Sequence, residues 1–147
     1  MLVLTKDDRI AVKKEAEAAG IGADKIFVEY ARRKEVPVYL SITECSIFLI
    51  RPTFSKTASS PTKHAELMGM GIPVICNNIG DTGNIIEATK TGIVVNAFSD
   101  NDYDRAVEGM RDLSEISKNF IRKAAFEYFD LKRGAEKYAA LYSKILN

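Results

Sequence analysis

The stretch ASSPTKHAELMGMGIPVI, Ala58 to Ile75, joins a polar loop, a helix start and a buried strand. Ser60 reads as an N-cap, and Pro61 fits the first helical position, where no backbone N–H is needed. Lys63 then falls in the first turn, beside free N–H groups and the positive end of the helix dipole. Donors and a positive charge converging on one point suit a phosphate. Glu66 follows at i+3 from Lys63, so the two side chains share a face. A carboxylate there does not neutralise phosphate, but it accepts hydrogen bonds from sugar hydroxyls. Phosphate donors beside a hydroxyl acceptor describe a nucleotide site. The plainer alternative is a capped helix whose Lys63 and Glu66 are solvated.

On both sides of this stretch, short apolar runs alternate with helical patterns. The runs are Leu2–Thr5, Lys25–Tyr30, Ser46–Ile50, Pro73–Cys76 and Gly92–Val95. Each is apolar nearly throughout, as parallel strands read when both faces are covered. Helices are expected over Asp7–Gly20, Val36–Thr43, Pro61–Gly71 and Thr82–Thr91, with Asp7, Asp8 and Gly20 as punctuation for the first. From Asn101 onward no strand pattern remains. Three helical stripes follow: Ala106, Val107, Met110 and Leu113; Ile116, Phe120, Ile121, Ala124 and Ala125; Ala135, Tyr138, Ala139, Tyr142, Ile145 and Leu146. All three are expected to pack into a core.

The alternation predicts an α/β fold: a doubly wound parallel sheet of about five strands with a helical C-terminal tail, as one domain over residues 1–147. Such sheets bind ligands at the carboxyl ends of their strands, where strand order reverses. Tyr30–Glu35, Arg51–Ser60 and Asn77–Thr82 each follow a strand and are expected on that edge. The length suits one domain, and 46% hydrophobic residues suffice for a core. A net charge of +1, from 21 basic and 20 acidic residues, carries no basic excess for nucleic acid. Cys45 and Cys76 lie in apolar runs, and there is one histidine. That argues against a metal site or a disulfide framework and fits a reducing, cytoplasmic compartment. The residues after Met1 read as neither a signal peptide nor a membrane span.

Four further features carry paired readings. The loop holding Thr53, Ser55, Thr57, Ser59 and Ser60 is long for a βα connection, and long polar loops at this edge are usually functional. Gly69 and Gly71 end a helix rather than open one, so they read as a C-cap and not a dinucleotide fingerprint. In Asn77–Asn84, Asp81 or Thr82 caps the next helix, or that helix end faces a second anionic or polyhydroxyl group. Tyr30, Ala31 and Arg32 open a loop that either holds a base against backbone or is a solvated charged turn. His64 has no partner with which to form a Ser/His/Asp or Cys/His arrangement.

The string from Ser59 through Ile75, followed by Asn78-Ile-Gly-Asp-Thr82 and Thr91-Gly-Ile-Val-Val95, resembles the donor-binding half of group 1 (GT4-type) glycosyltransferases, whose GT-B architecture pairs two Rossmann-like domains. The resemblance covers nearly the whole chain, including the tail through Tyr138 and Tyr142. It implies transfer of a sugar from a nucleotide diphosphate sugar to a saccharide or lipid-linked acceptor, with no bound metal and no cofactor beyond that donor. It matches Glu66 to the glutamate that holds the donor ribose. It places Ser59, Ser60, Thr62 and Lys63 near the donor phosphates and Tyr30, Ala31 and Arg32 near the base, while the helix-start reading of Asn77–Asn84 adds Asp81 as an expected second donor contact. Glu66 and Lys63 are the expected catalytic residues, with helix dipoles and basic side chains stabilising the leaving diphosphate. Many relatives carry a further glutamate eight residues before the position of Glu66; Ala58 stands there. The acceptor domain of the family and the first strand of the donor domain have no counterpart in these residues. The expected partners are a nucleotide-sugar donor and an N-terminal acceptor domain, with peripheral association of the full-length enzyme at the inner membrane face. A non-enzymatic nucleotide- or phosphate-binding module and an interaction domain using the tail helices remain alternatives. A receiver-type version of the former fits less well: Asp7 and Asp8 follow a strand, but no acid directly follows Ser46–Ile50.

Overall fold

The computed structural model describes residues 1–146 and divides into two compact units, Met1–Tyr39 and the residues from Leu40 onward. The first holds β1 (Leu2–Leu4), α1 (Arg9–Ala18), a 3₁₀ turn at Ala23–Lys25 and β2 (Phe27–Glu29). The β1 and β2 strands pair in parallel, Val3 opposite Val28. Asp8 caps α1 by accepting from the Ile10 N–H at 2.9 Å, and Gly20 follows the helix at φ +83°. Ala16, Ile26 and Val28 form this unit's core, with Val3, Val12 and Ile21 against them.

The boundary between units falls within α2 (Val36–Ser41). The second unit contains β3 (Ser46–Phe48), α3 (Phe54–Thr57), α4 (Thr62–Gly69), β4 (Val74–Asn77), α5 (Thr82–Thr89), β5 (Gly92–Val95), α6 (Asp100–Leu113), α7 (Lys118–Phe129) and α8 (Leu131–Leu146). Its sheet is parallel in the order β3-β4-β5, with Ile47 opposite Ile75 and Ile75 opposite Ile93. β4 is buried at every position, as an inner parallel strand with both faces covered must be. Phe48, Leu67, Ile72, Val74, Cys76 and Ile86 cluster around it. Met68 and Ile85 pack with Ile121, Ala124 and Ala125 of α7, while Ile75 and Val95 pack with Ala106 and Leu113 of α6.

The parallel α/β class is as the sequence predicts, but the five strands form two sheets, of two and three, rather than one. Full coverage also fails at Phe27, 63% exposed, and Ile47, 59% exposed, which turn outward from β2 and β3. The α3 turn lies inside the loop read as irregular. The stripes of α6 and α7 supply core residues, although Val107 and Phe120 face outward. The third stripe does not: α8 buries none of its described residues. Helical periodicity reports an apolar face and is silent about whether that face is covered.

Candidate functional site

The Gly69–Gly71 turn behaves as read. Met70 is the C-cap of α4 and Gly71 follows at φ +75°, with the Ile72 N–H returning to the Leu67 carbonyl at 3.0 Å. A Cβ at Gly71 would lie 2.8 Å from the Lys118 backbone oxygen, so the turn packs tightly on the start of α7. The helix start differs from expectation. Pro61 is extended at φ −67°, ψ 122° and takes the N-cap place, α4 begins at Thr62, and no side chain caps it. The Pro61 carbonyl accepts the first helical bond, from the His64 N–H at 2.9 Å. Ser60 therefore stands one residue outside the helix and is exposed. Its role as N-cap fails because the pyrrolidine ring, with ψ in the extended region, shifts the entry by one residue. The first-turn N–H groups keep the open, donor-rich character that an uncapped helix start presents.

Two loops meet at this end of the helix. Gly80 sits at φ +59°, and a Cβ there would overlap the Ser59 carbonyl oxygen. Only glycine permits this crossing of the Thr53–Pro61 and Asn78–Asp81 segments. Asn77, buried at the end of β4, holds β3 in place. Its Oδ1 accepts from the Ile50 N–H at 2.7 Å and its Nδ2 donates to the Ile50 carbonyl at 3.0 Å. Thr82 ties the following loop: its hydroxyl oxygen lies 2.8 and 2.7 Å from the Asn77 and Ile79 carbonyl oxygens, which share its single O–H donor, and accepts from the Ile79 N–H at 3.3 Å. Neither cap candidate caps α5 through its side chain, since the Thr82 bonds run back to Asn77 and Ile79. Asp81 occupies the N-cap position of α5 without a side-chain cap bond.

Ser60, Thr62, Lys63 and Glu66 are exposed and Ser59 is half-buried. The structure thus brings Ser59 through Glu66 together with the Gly80–Asp81 turn beyond the ends of β3 and β4. Lys63 Nζ lies 4.9 Å from the centroid of the Phe48 ring, a cation–π contact. His64 is fully enclosed, with its ring 5.9 Å from the same Phe48 and edge-on to Phe129 at 5.3 Å. Neither ring nitrogen has a hydrogen-bond partner, and Asp81 Oδ1 is likewise enclosed without one. Burial pushes the His64 pKa down and the Asp81 charge pulls it back up. Sequence reading passed over this feature because periodicity around one histidine gives no sign of what encloses it.

Tyr30, Ala31 and Arg32 belong to the first unit. Tyr30 is exposed, and the Arg32 N–H donates to Glu35 Oε2 at 2.8 Å, which closes the turn on itself. An apolar cavity of about 590 Å³ opens from the Ala65 and Gly69 flank of α4, against Ala125, Phe126, Phe129 and Leu131, and not from the Lys63 and Glu66 flank. Among the described residues there is no group of three or more His, Cys, Asp or Glu side chains arranged to hold a metal ion. No described helix is long and apolar enough to cross a membrane.

In the second unit, a parallel α/β arrangement, the polar loops after β3 and β4 converge on the uncapped start of α4 beyond the strand ends, the edge at which such folds commonly bind ligands. The family model described as "Glycosyl transferases group 1" matches residues 5–125, and the chain belongs to that family. Spore coat protein SA of Bacillus subtilis (strain 168) is 23% identical over 122 residues, covering 80% of this chain and 31% of that protein. The chain therefore spans about a third of the length of this curated relative. Sucrose-phosphate synthase from Thermosynechococcus elongatus matches 99% of the chain with a TM-score of 0.72 at 16% identity, over 38% of its own length. WaaG, a glycosyltransferase involved in lipopolysaccharide biosynthesis, matches 95% with a TM-score of 0.70 at 17% identity, over 37% of its own length. At such identities the two structures share the fold.

Proposed function

We propose that this chain is the nucleotide-sugar-binding domain of a glycosyltransferase that works on a saccharide or lipid-linked acceptor. The carrying observation is the exposed pair Lys63 and Glu66 on the first turns of an α4 whose N-terminal N–H groups no side chain caps. Lys63 and those N–H groups receive the donor diphosphate, with Ser59, Ser60 and Thr62 around them. Lys63 leaves its contact with Phe48 to do so, and a cation–π contact at an exposed site, worth about 0.5–1 kcal/mol, does not prevent it. Glu66 accepts from the ribose hydroxyls, and Asp81 from a second polyhydroxyl group. Catalysis rests on Lys63 and the helix dipole stabilising charge on the departing diphosphate, while Glu66 fixes the donor.

The acceptor site lies on a separate N-terminal domain, so residues 1–147 alone bind donor weakly and turn over little or none. A role in cytoplasmic cell-surface polysaccharide or glycolipid synthesis, with the full-length enzyme at the membrane inner face, would suit a fold shared with WaaG, a glycosyltransferase involved in lipopolysaccharide biosynthesis. Calorimetric titration of UDP, GDP and ADP tests the reading. Saturable binding of one nucleotide, lost in Glu66→Ala, is expected. Absence of binding to all three, or binding indifferent to Glu66→Ala, overturns it.

A further inference from the structure

We propose that His64 is a positioning residue of this site: its buried imidazole holds Asp81, and through Asp81 the Asn78–Asp81 turn, against the first turn of α4. Two enclosed polar groups on neighbouring segments lack partners, and they are complementary. A neutral imidazole carries one N–H donor, and an ionised carboxylate only accepts. Buried polar groups without partners are rare enough that each calls for a cause. The rings of Phe48 from β3 and Phe129 from α7 stand against the His64 ring and supply no hydrogen-bond acceptor for its N–H. Asp81 is the charged group that acts on the ring electrostatically. Gly80, beside Asp81, lies against the Ser59 carbonyl just before α4, and one N–H···O bond between the ring and the carboxylate would satisfy both groups. The turn it would fix is the one that crosses the Ser59 carbonyl at Gly80. His64 thereby sets the spacing between the loop before α4 and the loop before α5 without touching a ligand. The link to nucleotide affinity rests on the function proposed above; the pairing itself does not.

The chain contains one histidine, so its imidazole nitrogens give a single unambiguous set of NMR signals. In the full 147-residue chain, long-range ¹H–¹⁵N spectra are expected to show one neutral tautomer, with the pKa lowered from the usual imidazole value of about 6.5. Asp81→Asn, at a half-exposed position that tolerates it, is expected to shift those ¹⁵N resonances and the tautomer balance. Unchanged resonances in Asp81→Asn overturn the proposal. In parallel, affinity for the nucleotide diphosphate that binds best is expected to fall about tenfold in His64→Leu, one lost bond being worth about that factor. His64→Gln or His64→Asn, which keep an N–H donor at the Nε2 or Nδ1 position, is expected to recover most of it. Equal loss in all three variants refutes a hydrogen-bonding role. If wild type binds no nucleotide, the donor-site reading fails while the spectra still decide the pairing.

Discussion

Asn77 is the side chain on which the edge of the candidate site depends. The backbone ladder between β3 and β4 ends at Phe48 opposite Cys76, and the Asn77 amide continues it by bonding both the N–H and the carbonyl of Ile50. Replacing Asn77 with Ala removes two hydrogen bonds at a position 1% exposed. Each is worth about 1 kcal/mol net, and the half-buried Ile50 groups left without partners add desolvation cost, for a total of about 2–4 kcal/mol. With urea m values of roughly 1–3 kcal/mol/M for small proteins, the midpoint falls by roughly 1–2 M. Urea titrations followed by far-UV circular dichroism and by tyrosine fluorescence measure this, and coincident curves establish that one transition is observed despite two compact units. Asn96→Ala, at an exposed residue, serves as the control and should move stability by less than about 0.5 kcal/mol. An Asn77→Ala midpoint indistinguishable from that control refutes the reasoning. Asn77→Asp adds a diagnostic of sign. Its carboxylate would be buried facing the Ile50 carbonyl, which raises its folded-state pKa above the unfolded value. Its deficit should therefore be largest at neutral pH and shrink in acid, as the protonated form donates to that carbonyl.

Three further outcomes follow from the same geometry. Gly80→Ala places a methyl against the Ser59 carbonyl at a left-handed φ and should cost at least about 1–3 kcal/mol in a thermal or urea melt, with weaker nucleotide binding where wild type binds. Asp102, which accepts from the Ala97 N–H at 2.8 Å and is further stabilised by Ser99 and Arg105, has its pKa lowered. A depressed carboxylate pKa contributes stability that is present above the unfolded value and lost as pH falls through the folded one. The gap between wild type and Asp102→Asn should therefore close below about pH 4, in melts run across pH. Cys76, fully enclosed, has its thiol pKa pushed up to about 11, mainly by burial and against the Thr82 hydrogen bond. A thiol reagent should label it at neutral pH only at the rate of unfolding, and rapid labelling in native buffer contradicts its placement.

The five strands and the three tail helices are legible in the sequence, because apolar runs of four to six residues and stripes at helical spacing are local signals. Gly69 and Gly71 announce their turn for the same reason: a positive φ at Gly71 is a property of one residue and its neighbours. Where the reading slips, the cause is non-local. The entry to α4 moves by one residue with the extended ψ of Pro61. The Ser59 contact of Gly80 joins segments about twenty residues apart, and nothing in either segment names the other. Lys63 lies exposed in the first turn of α4 and Glu66 exposed one turn later, as the spacing reads, but the cation–π contact of Lys63 requires Phe48 to arrive from β3.

By itself, the sequence determined the order of the elements, the parallel α/β class and the family pattern running from Ser59 to Val95. Backbone propensity, caps and periodicity act over a few residues and can be read in order along the chain. The tertiary structure alone decided that the strands form a pair and a triplet, that α8 leaves its apolar stripe uncovered, and that the His64 ring and the Asp81 Oδ1 atom are enclosed without partners. Burial and hydrogen-bond satisfaction depend on which distant surfaces meet, and residues far apart in sequence settle that only once the chain has closed on itself.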